Sequence, residues 1–243
     1  MIDKEIIYVL CGLRDLKLLE QSIQIIKSND PDFYITVYYN EETGYDNVKH
    51  LSVNLKSYKR KAYDRREENR NSSLMRLESL IDSESKSIAY LDNDVFIVDW
   101  TKFLNGFEIA KIWGLALPLN PRNFLKTELD IGADVSDRDK NTLAKTPQYM
   151  PAVNMGVMFY CHFAKSRPGH FMNDLILKQR LYPSRGQMAL YYTMWIQTFT
   201  PLLLPYQWLV CQKHVGIDNP ICLHVGHKPV MEWWKKEFKN VRS

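Results

Sequence analysis

The sequence predicts an α/β fold with a mainly parallel central sheet flanked by helices. Glu5–Leu10 and Ile88–Leu91 are short, nearly continuous apolar runs, which are typical of strands buried on both faces. Stretches with helical spacing of apolar residues separate such runs, and the resulting β-α-β-β-α-β order favours a parallel sheet. The chain has 243 residues and 45% hydrophobic content, so we predict a single domain over residues 1–243.

The first half contains the more regular elements. After the Glu5–Leu10 strand, apolar residues from Leu16 to Ile26 follow helical spacing, which predicts a helix over Asp15–Lys27. A helix over Ser72–Ile81 presents leucines on one face. The predicted strands up to residue 98 are Glu5–Leu10, Phe33–Tyr39, His50–Leu55 and Ile88–Leu91.

The second half is less regular. Its segment Leu119–Pro151 is polar and rich in Pro, Asn and Asp, which predicts a long functional or mobile insertion. The other predicted elements are strands at Trp113–Pro118, Val153–Tyr160, Leu202–Leu204 and Ile221–Leu223, and helices at Phe171–Arg180, Gly186–Ile196 and Val230–Phe238.

Two aspartates stand where the Ile88–Leu91 strand ends. Asp92 and Asp94 are separated by one residue, and a second apolar run follows them. Ligands of open α/β sheets bind at the carboxyl ends of strands, and carboxylates there suit Mg²⁺ or Mn²⁺ together with substrate phosphates. The alternative is that these aspartates only cap a turn. A bound cation would offset the cost of burying a carboxylate beside an apolar strand.

Charge and cysteine content limit the other classes of function. The net charge is +4, and the basic stretch Lys56–Arg70 is diluted by acidic residues, so we favour a solvated segment over a nucleic-acid site. The four cysteines form no CxxC pair, which predicts buried free thiols and favours a reducing compartment. With Asp3 and Glu5 near the start and no apolar run of about 20 residues, we expect a cytoplasmic protein without a signal peptide or transmembrane segment.

The segment Tyr90–Val95 (YLDNDV) resembles the DxD motif of nucleotide-sugar glycosyltransferases with the GT-A, Rossmann-like fold. The likeness is greatest to glycosyltransferase family 8, which includes glycogenin and lipopolysaccharide galactosyltransferases. Four further islands resemble this family in the same order: Met75–Leu77, Asn154–Met158, Gly186–Leu190 and Leu223–Pro229.

The resemblance implies a metal-dependent transfer of a sugar from a nucleoside diphosphate sugar, most simply a UDP-sugar, to a saccharide or glycoconjugate acceptor. It implies that Asp92, Asp94 and His224 hold Mn²⁺ or Mg²⁺. Arg76 and Asn93 are then expected to contact the donor.

The same resemblance gives roles to residues later in the chain. Lys228 is expected to contact the departing phosphate, and Gly226 to let the backbone approach it. Asn154 and Gln187 are expected to hydrogen-bond sugar hydroxyls. A histidine such as His224 could otherwise be an ordinary hydrogen-bonded core residue.

The nucleotide-sugar half is predicted to be residues 1–98, and the acceptor half to be residues 99–243. In GT-A enzymes the nucleobase lies near the end of the first strand, which here is followed by Cys11, Gly12 and Arg14. Tyr39 and Asn40 end the second strand at the same edge, so they are also candidates for contact with the base.

The chain departs from the family pattern in two places. The C-terminal motif, His224-x-Gly226-x-Lys228-Pro229, is two residues shorter than usual and lacks a following Trp, and Gly186 stands where the family often has Asp. A retaining reaction is the family expectation, with inversion left open. The rival hypotheses are a sugar nucleotidyltransferase, which would need a richer glycine loop than Cys11–Asp15, and a non-catalytic nucleotide- or saccharide-binding module.

Overall fold

The computed structural model describes residues 2–59, 65–120, 141, 152–164, 168–181, 186–197 and 199–238, and every structural statement below refers to them. The strands are β1 (Lys4–Leu10), β2 (Ile35–Asn40), β3 (Asn54–Tyr58), β4 (Ser87–Leu91), β5 (Val95–Ile97), β6 (Leu115–Pro118), β7 (Val157–Cys161), β8 (Leu202–Leu204) and β9 (Cys222–His224). The helices are α1 (Leu16–Asn29), α2 (Tyr45–Val48), α3 (Arg65–Asp82), α4 (Trp100–Trp113), α5 (Gly169–Leu181), α6 (Gly186–Gln197) and α7 (Lys228–Glu237).

Seven strands form a central sheet in the order β3-β2-β1-β4-β7-β6-β8. All neighbouring pairs are parallel except β4 with β7 and β6 with β7, so β7 alone runs against the other six strands. The predicted mainly parallel α/β sheet with flanking helices is therefore confirmed. Its parallel strands place the residues that follow β1, β2 and β4 at one edge.

Both faces of this sheet are buried, as the continuous apolar strands predict. Along β1, Ile6, Tyr8 and Leu10 belong to one core cluster, whereas Ile7 and Val9 belong to the cluster on the other face. This alternation is the two-residue period of a strand. Helices α1 and α4 cover the first face, and α3, α5 and α6 cover the second.

Strands β5 and β9 form a separate two-stranded antiparallel sheet. Their register pairs Val95 with His224, Phe96 with Leu223 and Ile97 with Cys222. Phe96 is fully buried and meets Trp234 of α7 edge to face, with ring centroids 4.8 Å apart. The small sheet thus holds the later part of the chain against the end of β4.

One predicted strand is misplaced, and one helix was not predicted. The strand predicted at His50–Leu55 lies instead at Asn54–Tyr58, because the preceding residues form the short helix α2 and a 3₁₀ turn over Lys49–Leu51. Helix α4 was not predicted. Most of the predicted insertion Leu119–Pro151 lies outside the described residues.

All four cysteines are free thiols, as expected, and Cys161, Cys211 and Cys222 are buried. Within the described ranges, no helix combines the length and the apolar character needed to cross a bilayer.

Candidate functional site

The pairing of β5 with β9 brings together two side chains that are far apart in the sequence. Val95 lies opposite His224, and the Val225 N–H donates to the Asp94 carbonyl at 2.8 Å. As a result, His224 Nε2 lies 3.1 Å from Asp94 Oδ1. The carboxylate that follows β4 and the imidazole that ends β9 therefore share one site.

Asp92 is fixed by the chain around it. Its N–H donates to the Gly156 carbonyl at 2.8 Å, and its own carbonyl accepts from the Val95 N–H at 3.0 Å, which closes a tight turn. The Tyr90 hydroxyl donates to Asp92 Oδ1 at 2.6 Å, and Arg76 Nη1 lies 3.7 Å from the same oxygen. Burial, together with the neighbouring Asp92 charge, raises the pKa of Tyr90 well above its usual value, so Tyr90 remains a donor.

Asp92, Asp94 and His224 each present a ligand atom within 4.8 Å of the other two. Both carboxylates also rest against glycines. A Cβ added at Gly156 would lie 2.8 Å from Asp92 Oδ2, and one added at Gly226 would lie 1.9 Å from Asp94 Oδ2. Two carboxylates, one imidazole and the space that the glycines leave for them fit a divalent cation.

The charges within the site are coupled. Burial alone would raise the pKa of Asp94, but the hydrogen bond and charge of His224 outweigh it and hold that pKa below its ordinary value. Burial alone would lower the pKa of His224, but the hydrogen bond to Asp94 and the nearby carboxylates raise it well above 6.5. The Asp94 carboxylate and the His224 imidazole therefore each favour the charged form of the other.

Arg76 and Asn93 each contain a buried polar atom without a hydrogen-bond partner in the described part of the chain. Arg76 donates from Nη1 to the Met155 carbonyl at 3.3 Å, whereas its Nε has no partner. Asn93 donates from Nδ2 to the Val9 carbonyl at 2.9 Å, whereas its Oδ1 has none. Such atoms are uncommon in folded proteins and are candidates for ligand contact.

The loop after β1 is organised by Asn40, whose side chain is fully buried. Asn40 Oδ1 accepts from the N–H groups of Gly12 at 3.2 Å and Thr43 at 3.1 Å. Gly12 has φ 73°, a left-handed conformation that favours glycine. Asn40 therefore shapes this loop and does not present its amide to solvent.

The other residues expected near the base are dispersed. Tyr39 is 9% exposed and packs into the core, and Cys11 Sγ lies 3.4 Å from Met75 Sδ. Arg14 lies on the surface, where it pairs with Asp15 at 2.8 Å.

Only some of the residues expected to contact sugar and phosphate lie beside Asp92, Asp94 and His224. Asn154 adjoins them: its Oδ1 accepts from the Gly156 N–H at 2.9 Å, and its Nδ2 lies 3.1 Å from Cys211 Sγ. Lys228 begins α7 near Gly226, but its side chain is 87% exposed and lies 3.9 Å from Glu232. Gln187 is in the first turn of α6, and its side chain is outside the described part.

Sequence reasoning missed four residues of the site. Tyr90 supports Asp92, and Gly156 adjoins it. Cys211 Sγ lies 3.9 Å from His224 Nδ1, and the His227 ring lies 5.0 Å from the His224 ring, centroid to centroid. Tyr90 and Gly156 lie within the segments that resemble the family motifs, so their position in the sequence pointed to the site. Nothing in the local sequence marks Cys211.

Comparison with known proteins identifies the fold. No protein-family model and no curated protein matches the chain. Among solved structures, it resembles the galactosyltransferase LgtC in complex with donor and acceptor sugar analogues, at 13% identity and a TM-score of 0.57, over 98% of this chain and 95% of that one. It also resembles apo WbbM, a bifunctional glycosyltransferase, at 14% identity and a TM-score of 0.57, over 93% of this chain and 46% of that one. The chain has the GT-A glycosyltransferase fold.

Proposed function

We propose that this protein is a metal-dependent glycosyltransferase that moves a sugar from a nucleoside diphosphate sugar to a saccharide or glycoconjugate acceptor. The observation that supports this most strongly is that Asp92, Asp94 and His224 present ligand atoms within 4.8 Å of one another. They do so at the carboxyl edge of a sheet with the glycosyltransferase fold, which is where α/β proteins bind ligands.

The proposed cation is Mn²⁺, with Mg²⁺ as the alternative. Carboxylate oxygens suit both ions, and an imidazole nitrogen favours the transition metal. Asp92, Asp94 and His224 would hold it, and the two adjoining glycines leave their carboxylates room. When bound, the cation supplies positive charge that stabilises the departing diphosphate.

Several side chains would prepare this site. Tyr90 and Arg76 hold Asp92 Oδ1 from two sides, at 2.6 Å and 3.7 Å, so this carboxylate would be oriented before the donor arrives. Asn93 Oδ1 lacks a hydrogen-bond partner among the described residues, and it would accept a hydrogen bond from a hydroxyl group of the sugar nucleotide. A preorganised polar environment of this kind is usually the largest contribution to catalysis.

The N-terminus of α7 would complete the phosphate site. This ten-residue helix begins at Lys228, two residues after Gly226, and the positive end of a helix dipole favours an anion. The Lys228 side chain is highly exposed, so it can leave Glu232 and turn toward a diphosphate at little cost. Its proposed role is to stabilise the leaving phosphate.

The base and the sugars would be bound on either side of the cation. The loop that Asn40 holds would take the base, which we propose to be uracil, beside Cys11, Gly12, Tyr39 and Arg14. Asn40 would act through the Gly12 backbone. Asn154 and Gln187 would contact sugar hydroxyls, and the reaction is proposed to be retaining.

Isothermal titration of the full chain with UDP, with and without Mn²⁺, tests the donor and the cation. We expect heat of binding that requires Mn²⁺ and that is lost in Asp94→Asn. The matched control is Asp46→Asn, because the Asp46 side chain is 86% exposed and forms a surface ion pair with Lys49 at 2.8 Å. Negligible heat with and without Mn²⁺ for the folded wild type would overturn the proposal.

Turnover separates an enzyme from a binding module. UDP release from a panel of UDP-sugars, with Mn²⁺ and without acceptor, should exceed the protein-free rate and should disappear in Asp94→Asn. Mn²⁺-dependent UDP binding with no release from any donor, with or without a panel of saccharide acceptors, would favour the non-catalytic alternative.

A further inference from the structure

We propose a second cation site, for a thiophilic ion such as Zn²⁺, formed by Cys211, His224 and His227. The ligand atoms of these three residues lie within 4.8 Å of one another. We call it the thiol site, and we call the Asp92, Asp94 and His224 group the carboxylate site. A thiolate with two imidazoles is a ligand set that selects Zn²⁺ over Mn²⁺ or Mg²⁺.

The distance between Cys211 Sγ and His224 Nδ1 is close to that in tetrahedral zinc sites. Bonds of about 2.3 Å to sulfur and 2.0–2.1 Å to nitrogen put the two ligand atoms about 3.6 Å apart in a tetrahedron. Cys211 Sγ and His224 Nδ1 are 3.9 Å apart, so a small side-chain movement would suffice. The three protein ligands would leave a fourth position for water, as at open zinc sites.

The groups around these ligands have the arrangement that zinc sites use. The Asn154 amide is oriented by the Gly156 N–H, which donates to its Oδ1 at 2.9 Å, so its NH₂ group points at Cys211 Sγ at 3.1 Å. Hydrogen bonds from neighbouring groups orient the ligands of metal sites in this way. On the other side, His224 Nε2 lies 3.1 Å from Asp94, which is the carboxylate–histidine pairing typical of a zinc ligand.

The two sites compete for His224. A neutral imidazole has one nitrogen lone pair available for a metal, because the other nitrogen carries the proton. If Zn²⁺ binds Nδ1, the proton lies on Nε2 and is donated to Asp94, so His224 cannot serve the carboxylate site. Zn²⁺ should therefore weaken Mn²⁺-dependent donor binding by removing one ligand. This consequence rests on the proposed function, whereas the thiol site itself does not.

Co²⁺ is a suitable probe of the thiol site, because a cobalt–thiolate bond gives a charge-transfer absorption in the near ultraviolet and oxygen ligands do not. Titration of the full chain should produce this band with one Co²⁺ per chain, and Zn²⁺ should abolish it by displacement. Cys211→Ser should lose the band. His227→Gln, a change in a partly exposed loop residue, should weaken Co²⁺ binding by more than about 10-fold.

Two variants serve as controls. Cys11→Ser changes another thiol, which is not part of the cluster, and should keep the band. Asp92→Asn disables the carboxylate site and should also keep it, which separates the two sites. A folded wild type without the band, or a Cys211→Ser variant that retains it, would overturn the thiol site.

The competition is tested with UDP and Mn²⁺. One equivalent of Zn²⁺ should weaken Mn²⁺-dependent UDP binding in the wild type by at least about 10-fold, and should have little effect in His227→Gln. Zinc that binds at the thiol site without this effect would refute the competition. Absence of UDP binding before zinc is added would refute the proposed function and leave the cobalt result standing.

Discussion

Replacing Gly226 by alanine is expected to weaken cation binding, although the change removes no ligand atom. A Cβ at this position would lie 1.9 Å from Asp94 Oδ2 and 3.0 Å from its Cγ. Real Cβ atoms essentially never approach closer than 3.0 Å, so the oxygen must retreat by about 1.1 Å. The φ of Gly226 is outside the left-handed region, so the substitution tests space and not backbone conformation.

The size of the effect follows from that displacement. Ligand distances in a metal site are held to about ±0.2 Å, and a 1 Å movement takes the Asp94 oxygen out of reach. It also disturbs the 3.1 Å contact between Asp94 and His224. Loss of an outer residue that positions a ligand costs about 10–100-fold in metal affinity. This range corresponds to about 1.4–2.7 kcal/mol.

The assay is a Mn²⁺ titration in which the free ion is measured by electron paramagnetic resonance. The matched control is Gly169→Ala, because nothing lies within 4 Å of a Cβ added there and its φ is also ordinary. Thermal unfolding without Mn²⁺ establishes that both variants fold. Unchanged Mn²⁺ affinity in a folded Gly226→Ala protein would refute the reasoning.

Three further predictions concern other parts of the chain. Gly106→Ala should destabilise the protein by about 1–3 kcal/mol in urea unfolding, because a Cβ there would lie 2.2 Å from the Phe159 ring; unchanged stability would contradict this packing. Tyr90→Phe should weaken Mn²⁺ binding about 10-fold, because Asp92 loses a 2.6 Å hydrogen bond; equal affinity would remove Tyr90 from the site. Burial lowers the pKa of His162 below 6.5, so protonation of this residue destabilises the fold as the pH falls below 6.5. His162→Gln should reduce the acid loss of stability measured by urea unfolding, and an unchanged profile would exclude this contribution.

The sheet could be predicted from sequence because its signals are local. A strand buried on both faces, such as β4, is a continuous apolar run, and no distant residue is needed to recognise it. Helix α4 was missed although its caps were visible: Asp99 accepts from the Lys102 N–H at 3.0 Å, and Gly114 ends the helix with φ 80°. An N-capping aspartate and a glycine after the last turn are local signals of a helix in the sequence.

The β3 error has a different cause. Leu51 is apolar and buried, but it is buried in a 3₁₀ turn and not in a strand. A short apolar stretch does not distinguish the two.

The site also contains residues that the local sequence marks and residues that only tertiary contacts bring to it. Asp92 and Asp94 follow a recognisable strand, so their chemistry could be inferred from position. The contacts of Cys211 and His227 depend on the pairing of β5 with β9 and on the bridge between Val210 and Leu223. Such long-range pairings are set by tertiary packing, and the spacing of residues along the chain does not encode them directly.

The β5–β9 pairing gives a bound cation a mechanical role as well. An ion held by both Asp94 and His224 would act as a removable cross-link that closes a loop of about 130 residues. Since the denatured chain lacks this geometry, saturating ion at 100 times its dissociation constant would add about 2.7 kcal/mol to the resistance to melting. Removing the ion with a chelator would then lower the melting temperature, and adding the ion back would raise it again. The melting temperature would therefore report the fraction of the protein that holds the ion.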